Sequence, residues 1–418
     1  MREAALLIEQ GELSARGTEE VNNHVHTIYS FSPYSPAMAA YKAWAAGLKA
    51  VGIMDHDSIA GAEEILESCK YIGLGSTAGF ELRTSFAKTK LAGKRINSPD
   101  SLGIGYIAIH GIPRNEIPRV GNFLEPLQQE RNNRNIRIID NLNSLLGSFG
   151  IEPMDFMADV FPISQAAEGG TVTERHILYA LGLRLVGSAG RGASLVEFLK
   201  DKLSVEVPGK IAGYLGDPEN PHYLYDLLGL LKSSFLPKVF EQPSDRECIP
   251  VGKVVEFAKS IGALPAYAYL GDVTESPTGD KKAQKFEDEY IDELFDTIKE
   301  IGFQAVTYMP PRNTREQLKR VQKMCSDYEL MEISGVDINS SRQSFSCPII
   351  LEDDFVHLAD ATWALIAHEK LSVENKELGL FHPGNPYAAL SLKERIEKYN
   401  SVGRNADHHH PEEMINQI

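Results

Sequence analysis

The chain predicts an α/β fold on a parallel sheet, and three observations carry that reading. Residues 21–55 pass from an apolar strand through a turn-rich loop and a helix into a second apolar strand, a β-loop-α-β unit. After residue 250 the rhythm of helix, glycine stop and strand returns and repeats. Side chains able to hold a metal recur at strand ends, where parallel α/β folds build their sites.

Residues 1–20 read as a short amphipathic helix or an extended arm. The next stretch, NNHVHTIYSFSPYS (22–35), sets His24 and His26 two apart. On a strand they share one face, while Val21 and Val25 turn to the other, into a core. Two imidazoles fixed this way begin a site for a divalent transition metal, although His-x-His also arises on solvated strands. Pro36 suits a first helical turn, and Gly47 marks the stop before the strand AVGIMD, which ends in Asp55, His56 and Asp57. Asp57 or Ser58 suits the N-cap of a helix running to Lys70, which leaves His56 unexplained. STAGFELRTSF sets Glu81 in a strand otherwise fit for burial, where a carboxylate needs a counter-charge or a metal. LGIGYIAIHGIP is a further strand, ending in His110. One such residue at a strand end is usually structural, but chance rarely makes the series His24/His26, His56, Glu81, His110.

Residues 113–245 break the rhythm. NFLEPLQQERNNRNIRIIDNLNSLLGSFG is helical, and Arg131, Arg134 and Arg137 share one side of it, either a solvated face or an anion-reading face turned toward the cleft. Thr171 or Thr173 caps the next helix, whose first turns carry Arg175 and His176, a plausible phosphate seat. The rest, to about 245, reads as an irregular, partly helical lid. Beyond 250, the loop GDVTESPTGDKKAQK (271–285) is polar and mobile, the acidic run EDEYIDE is a solvated helix face, and a late strand ends in Asp337 and Asn339. A helical tail follows, with Asp407 to His410 at a flexible end.

At 418 residues and a formal net charge of −16, the chain has room for two or three domains and is a poor match for duplex nucleic acid. Its four scattered cysteines suggest neither a disulfide framework nor a thiolate zinc site. No signal peptide or membrane-length apolar run is visible, so a cytoplasmic location is expected.

NNHVHTIYS, GIMDHDSIAGA, GFEL, the strand-end His110 and GVDIN, in that order, resemble the successive motifs of the PHP (polymerase and histidinol phosphatase) superfamily. LQQERNNRNIRIIDNL and TERHILYALG resemble the helical insertion of its branch acting on nucleoside monophosphates and bisphosphates. The resemblance implies a distorted seven-stranded β/α barrel (18–112 and 246–348), a helical insertion over the site (113–245) and a helical C-terminal extension (349–418). It implies that His24, His26, Glu81 and Asp337 hold one metal, that Glu81 and His110 form half of a second site with Tyr269 a weak ligand, and that Arg175 and His176 hold a substrate phosphate. Three ligand positions depart from the family pattern: Phe31 for an Asp, Tyr269 for a His and Asn339 for a His, while His56 survives at the third metal position. One or two divalent ions (Zn²⁺, Mn²⁺ or Fe²⁺) are therefore expected.

The expected activity is metal-dependent hydrolysis of a small phosphorylated metabolite, nucleotides among the candidates. Arg175 and Arg134 would compensate charge, and His56 would be the general acid. The alternative is a catalytically altered relative that binds metal and a phosphorylated ligand without turnover.

Overall fold

Chain reversals and glycine stops divide this computed structural model, which describes residues 1–273 and 284–418, into seven strands and their covering helices. Most of the loop read as mobile, 274–283, lies outside the described residues. Helix α1 (Arg2–Glu9) precedes β1 (Val21–Val25). Then come α2 (Pro36–Ala45), β2 (Ala50–His56), α3 (Ala62–Tyr71), β3 (Gly75–Ser85) and β4 (Ile104–His110). The insertion holds α4 (Ile117–Gly147), α5 (Glu174–Ala189), α6 (Ala193–Glu197), α7 (Gly209–Gly216) and α8 (Tyr223–Val239). The chain then resumes with α9 (Val251–Ser260), β5 (Leu264–Ala268), α10 (Ile291–Ile301), β6 (Ala305–Tyr308), α11 (Arg315–Asp327), β7 (Met331–Ser334), α12 (Val356–Glu374) and α13 (Leu392–Asn405).

The strands lie side by side in chain order. The segment after β7 returns to β1: the His26 N–H donates to the Ile338 carbonyl at 2.9 Å, and the Ile338 N–H to that of His24 at 3.1 Å. The sheet is thus a nearly closed barrel. It is not wholly parallel, because β4 runs antiparallel to both β3 and β5. No helix stands between β3 and β4 to make a parallel crossover, so the chain simply turns back.

Two apolar cores form. One fills the barrel and its outer helices and takes in the first part of α4, up to Leu127; the other lies within the insertion and recruits Phe31 from the barrel loop. The stretch to 245, read as irregular, is largely helical, with Leu195, Leu215, Leu227 and Leu231 fully buried. Helix α12 is apolar on nearly every side, the mark of a buried helix. It crosses the amino-terminal end of the barrel: Thr362 Oγ1 accepts from Asn23 Nδ2 at 2.7 Å, Trp363 faces Gly75, Leu365 and His368 face Gly111, and Glu369 accepts the Ala78 N–H at 2.7 Å.

Three local expectations are corrected. The helix expected from Ser58 starts at Ala62, because Asp57 is drawn to Arg131 and Ser58 Oγ donates to the Gly169 carbonyl at 2.8 Å. The run EDEYIDE is not all solvated. Glu287 is buried, accepts from the Leu270 N–H at 2.7 Å and is raised to about 7 by burial, while Asp288 accepts the Tyr269 hydroxyl. The tail packs rather than frays, with His408 stacked on Trp363 at 5.1 Å between ring centroids.

Candidate metal centre

The His-x-His pairing behaves as alternation requires. Val25 is buried in the core, and both imidazoles turn inward, their centroids 5.1 Å apart. Asn22 fixes them in place. Its side chain pairs with the Val336 backbone in both directions, at 3.0 and 2.9 Å, and its Oδ1 also accepts the His24 N–H at 3.0 Å. That pairing brings Asp337 to His26.

His26 Nε2 lies 3.2 Å from Asp337 Oδ1 and 3.4 Å from Glu81 Oε1; the same Glu81 oxygen is 3.5 Å from His24 Nε2 and 3.1 Å from His56 Nδ1. Two overlapping groups result, His24–His26–Asp337 and His26–His56–Glu81, each with its ligand atoms within 4.8 Å of one another. His26 belongs to both. Its Nε2 and His56 Nδ1 are buried and have no hydrogen bond, and both face the space around Glu81 Oε1. Imidazole and carboxylate donors so arranged fit Zn²⁺, Mn²⁺ or Fe²⁺.

A supporting shell fixes the tautomer. Ser30 Oγ donates to Asp55 Oδ1 at 2.6 Å, so its oxygen is left to accept from His26 Nδ1 at 3.3 Å, which frees Nε2 for a cation. Asp55 also accepts from Thr27 N and Oγ1 at 2.7 and 2.6 Å, pinning the loop behind the histidines. Asn339, standing where a ligand was expected, donates instead to Asp337 Oδ1 at 2.6 Å and orients it.

Burial is the largest influence on His26 and pushes its pKa down, but Asp337 and Glu81 outweigh it and hold the group up at about 9. Without a cation, His26 therefore carries a proton at neutral pH, and a cation must displace it. Affinity should rise with pH from 7 toward 9, by up to about tenfold per unit for this one proton. Titration calorimetry in two buffers of different ionisation enthalpy should show about one proton released per ion at pH 7.5; no release would contradict it. Burial would raise Glu81, but the three imidazoles around it hold it down at about 2.

Gly335 bounds the site from behind. A Cβ there would lie 2.4 Å from His24 Cβ, an impossible contact against strand backbone. Gly335→Ala should displace β1 and weaken metal binding at least about tenfold, the scale of lost supporting contacts, as measured by competition with a chromophoric chelator.

The remaining expected site residues lie beside these groups or apart from them. His110 joins neither three-residue group, yet it is buried within electrostatic reach of His24 and Glu81, and both of its ring nitrogens lack a hydrogen bond, so it borders the centre. Because β4 runs antiparallel, its last residue pairs with Leu264 at the start of β5, toward the closed end of the barrel. The β4 side chain at the mouth is Tyr106, its ring 5.6 Å from that of His56, a residue sequence reasoning missed. The missing helix between β3 and β4 was the signal that could have found it. Tyr269 sends its hydroxyl to Asp288, away from the centre. His56 is drawn down to about 3, chiefly by burial, and presents Nδ1 to Glu81. Neutral at pH 7, it fits a ligand role better than general acid.

Arg134 is fully buried and committed, to Glu247 at 2.7 Å and Glu174 at 2.7 Å, so it cannot meet a substrate. Arg131 pairs with Asp57, and with Glu174 at 2.8 Å. Arg137 is exposed: steps of three fall short of a 3.6-residue turn, so the row drifts off the face. His176 is a capping group, its Nδ1 accepting the Thr173 N–H at 3.0 Å, rather than a phosphate ligand. Arg175 differs from its neighbours. Its guanidinium lies over the Phe31 ring at 5.0 Å, donates weakly to the Asn339 carbonyl at 3.4 Å, and meets no carboxylate within ion-pair distance among the described residues. Phe31 packs edge-on against His176 at 4.9 Å and Tyr179 at 5.8 Å, an apolar floor where an acid was expected.

No family model matches this chain, and no curated protein does. Among solved structures, a candidate metal-dependent phosphoesterase from Bifidobacterium adolescentis superposes with a TM-score of 0.52 at 18% identity, over 82% of this chain and 96% of that one. An amidohydrolase from Chromobacterium violaceum, with bound sulfate and no metal, gives a TM-score of 0.49 at 15% identity, over 78% and 89%. At these identities the likeness bears on the fold alone.

Proposed function

We propose that the protein is a metal-dependent phosphoesterase, a divergent relative of the PHP superfamily, acting on a small phosphorylated metabolite, nucleotides among the candidates. The observation that carries this is the convergence of His24, His26, His56, Glu81 and Asp337, two of their nitrogens buried without hydrogen bonds, beside an uncommitted arginine. A bound divalent ion would supply Lewis acidity and acidify water. The chain supplies the rest. Arg175 donates charge-assisted hydrogen bonds to phosphoryl oxygens as negative charge grows, with Phe31 beneath it excluding water. Asn339 and the Asp55–Ser30 pair hold Asp337 and His26 in register.

The test is elemental analysis of protein purified without added metal, followed by hydrolysis of p-nitrophenyl phosphate and a nucleoside monophosphate panel before and after chelation. Turnover should vanish on chelation and return with Mn²⁺ or Zn²⁺. Unchanged turnover in fully chelated protein would sink the reading. The outward turn of Tyr269 and the apolar Phe31 favour the second reading, metal and ligand binding without turnover, which a silent panel with stoichiometric metal would select.

A further inference from the structure

We infer that Glu174 is the specificity-determining residue of the cleft: its carboxylate fills an anion seat built by Arg83, Arg131 and Arg134, so a substrate can bring one anionic group, to Arg175, and not two. This rests on the phosphoesterase reading for its meaning, but the seat itself can be tested by binding alone.

Glu174 Oε1 lies 2.7 Å from Arg134 and 3.2 Å from Arg83, and Oε2 lies 2.8 Å from Arg131. Three guanidinium groups from β3 and α4 thus converge on one carboxylate, the geometry in which arginines recognise oxyanions. Glu174 is also the first residue of α5, where the helix dipole favours negative charge. Burial works against its ionisation, yet the three cations hold its pKa well below the usual carboxylate range.

The arginines are buried. Their side chains are 5%, 3% and 0% exposed, in order, whereas those of Glu174 and Asp57 are 12% and 11% exposed, so water reaches the cluster only past carboxylates. Asp57 also holds Arg131, and the more deeply buried Glu247 holds Arg134 and Arg83. Three positive charges therefore meet three negative ones, and a phosphate entering this seat would first have to evict Glu174. The seat adjoins the chemistry at both ends, since Asp57 follows His56 and Glu174 precedes Arg175 in the chain. Arg175 is the guanidinium left uncommitted there.

The experiment uses the full chain, with inorganic phosphate as the probe and chloride at matched ionic strength as the control. Wild type, Glu174→Gln and Glu174→Ala are followed by thermal unfolding and titration calorimetry. Glu174→Ala should lose stability and regain it with millimolar phosphate but not chloride, because a ligand of the native state stabilises it by mass action. Both variants should bind one phosphate more per chain than wild type. If Glu174→Ala folds only in phosphate, that too supports the seat. Phosphate shifts in both variants no larger than in wild type, or Glu174→Ala unfolded in either salt with no extra phosphate bound by Glu174→Gln, would overturn it. In turnover, wild type should favour monophosphate over bisphosphate esters, and Glu174→Gln should narrow that preference at least about tenfold. If no ester is hydrolysed by wild type, the phosphoesterase reading fails while the binding result still decides the seat.

Discussion

His26→Ala should empty the metal centre. The imidazole removed is shared by both ligand groups, so neither retains three ligands, and the Glu81 and Asp337 carboxylates are left facing one another without the cation or proton between them. Loss of a supporting-shell partner alone costs about 10- to 100-fold in affinity or activity, so this ligand should cost at least about 100-fold in both. Metal per chain after gel filtration should fall to background, with turnover below detection. The near-ultraviolet circular dichroism of the barrel aromatics should persist. Retained metal with full activity would mean that the five side chains do not act together.

Arg175→Met should separate charge stabilisation from metal binding. The guanidinium touches no ligand side chain, so metal content should stay at the wild-type level. Removing one donor to a developing oxyanion costs about 100- to 1,000-fold in kcat, or about 3–4 kcal/mol. Arg175→Lys should recover only part of this, because a lysine carries charge without the planar fork and lies less well over Phe31. An unchanged kcat/KM in Arg175→Met would remove the residue from the reaction.

Much of the barrel was legible because strands and helices alternate with glycine stops, and the His-x-His face follows directly from the two-residue period of a strand. What escaped the sequence were partnerships across the fold. Nothing near His110 reveals that its strand runs backwards; that depends on the chain between β3 and β4, and the reversal sets Tyr106 at the mouth and His110 deeper in the barrel, still within electrostatic reach of His24 and Glu81. Arg131 and Arg134 read first as a solvated face and second as an anion-reading one, because their carboxylate partners lie far along the chain at Asp57, Glu174 and Glu247. Asn22 and Asp55 looked like ordinary polar residues within and at the end of a strand. Their role appears only when Val336 and Ser30 are beside them.

Helix α12 makes the barrel a blind well. With Thr362, Trp363 and Glu369 packed against its far end, a metabolite bound at the centre would lie on the side of the insertion, beside Arg175 and Phe31. An anion held by Arg175 would then cover a cation held by the ligand group, if both bind. A bound product would then shelter the ion beneath, and removal of the metal by a chelator would wait on that product's departure.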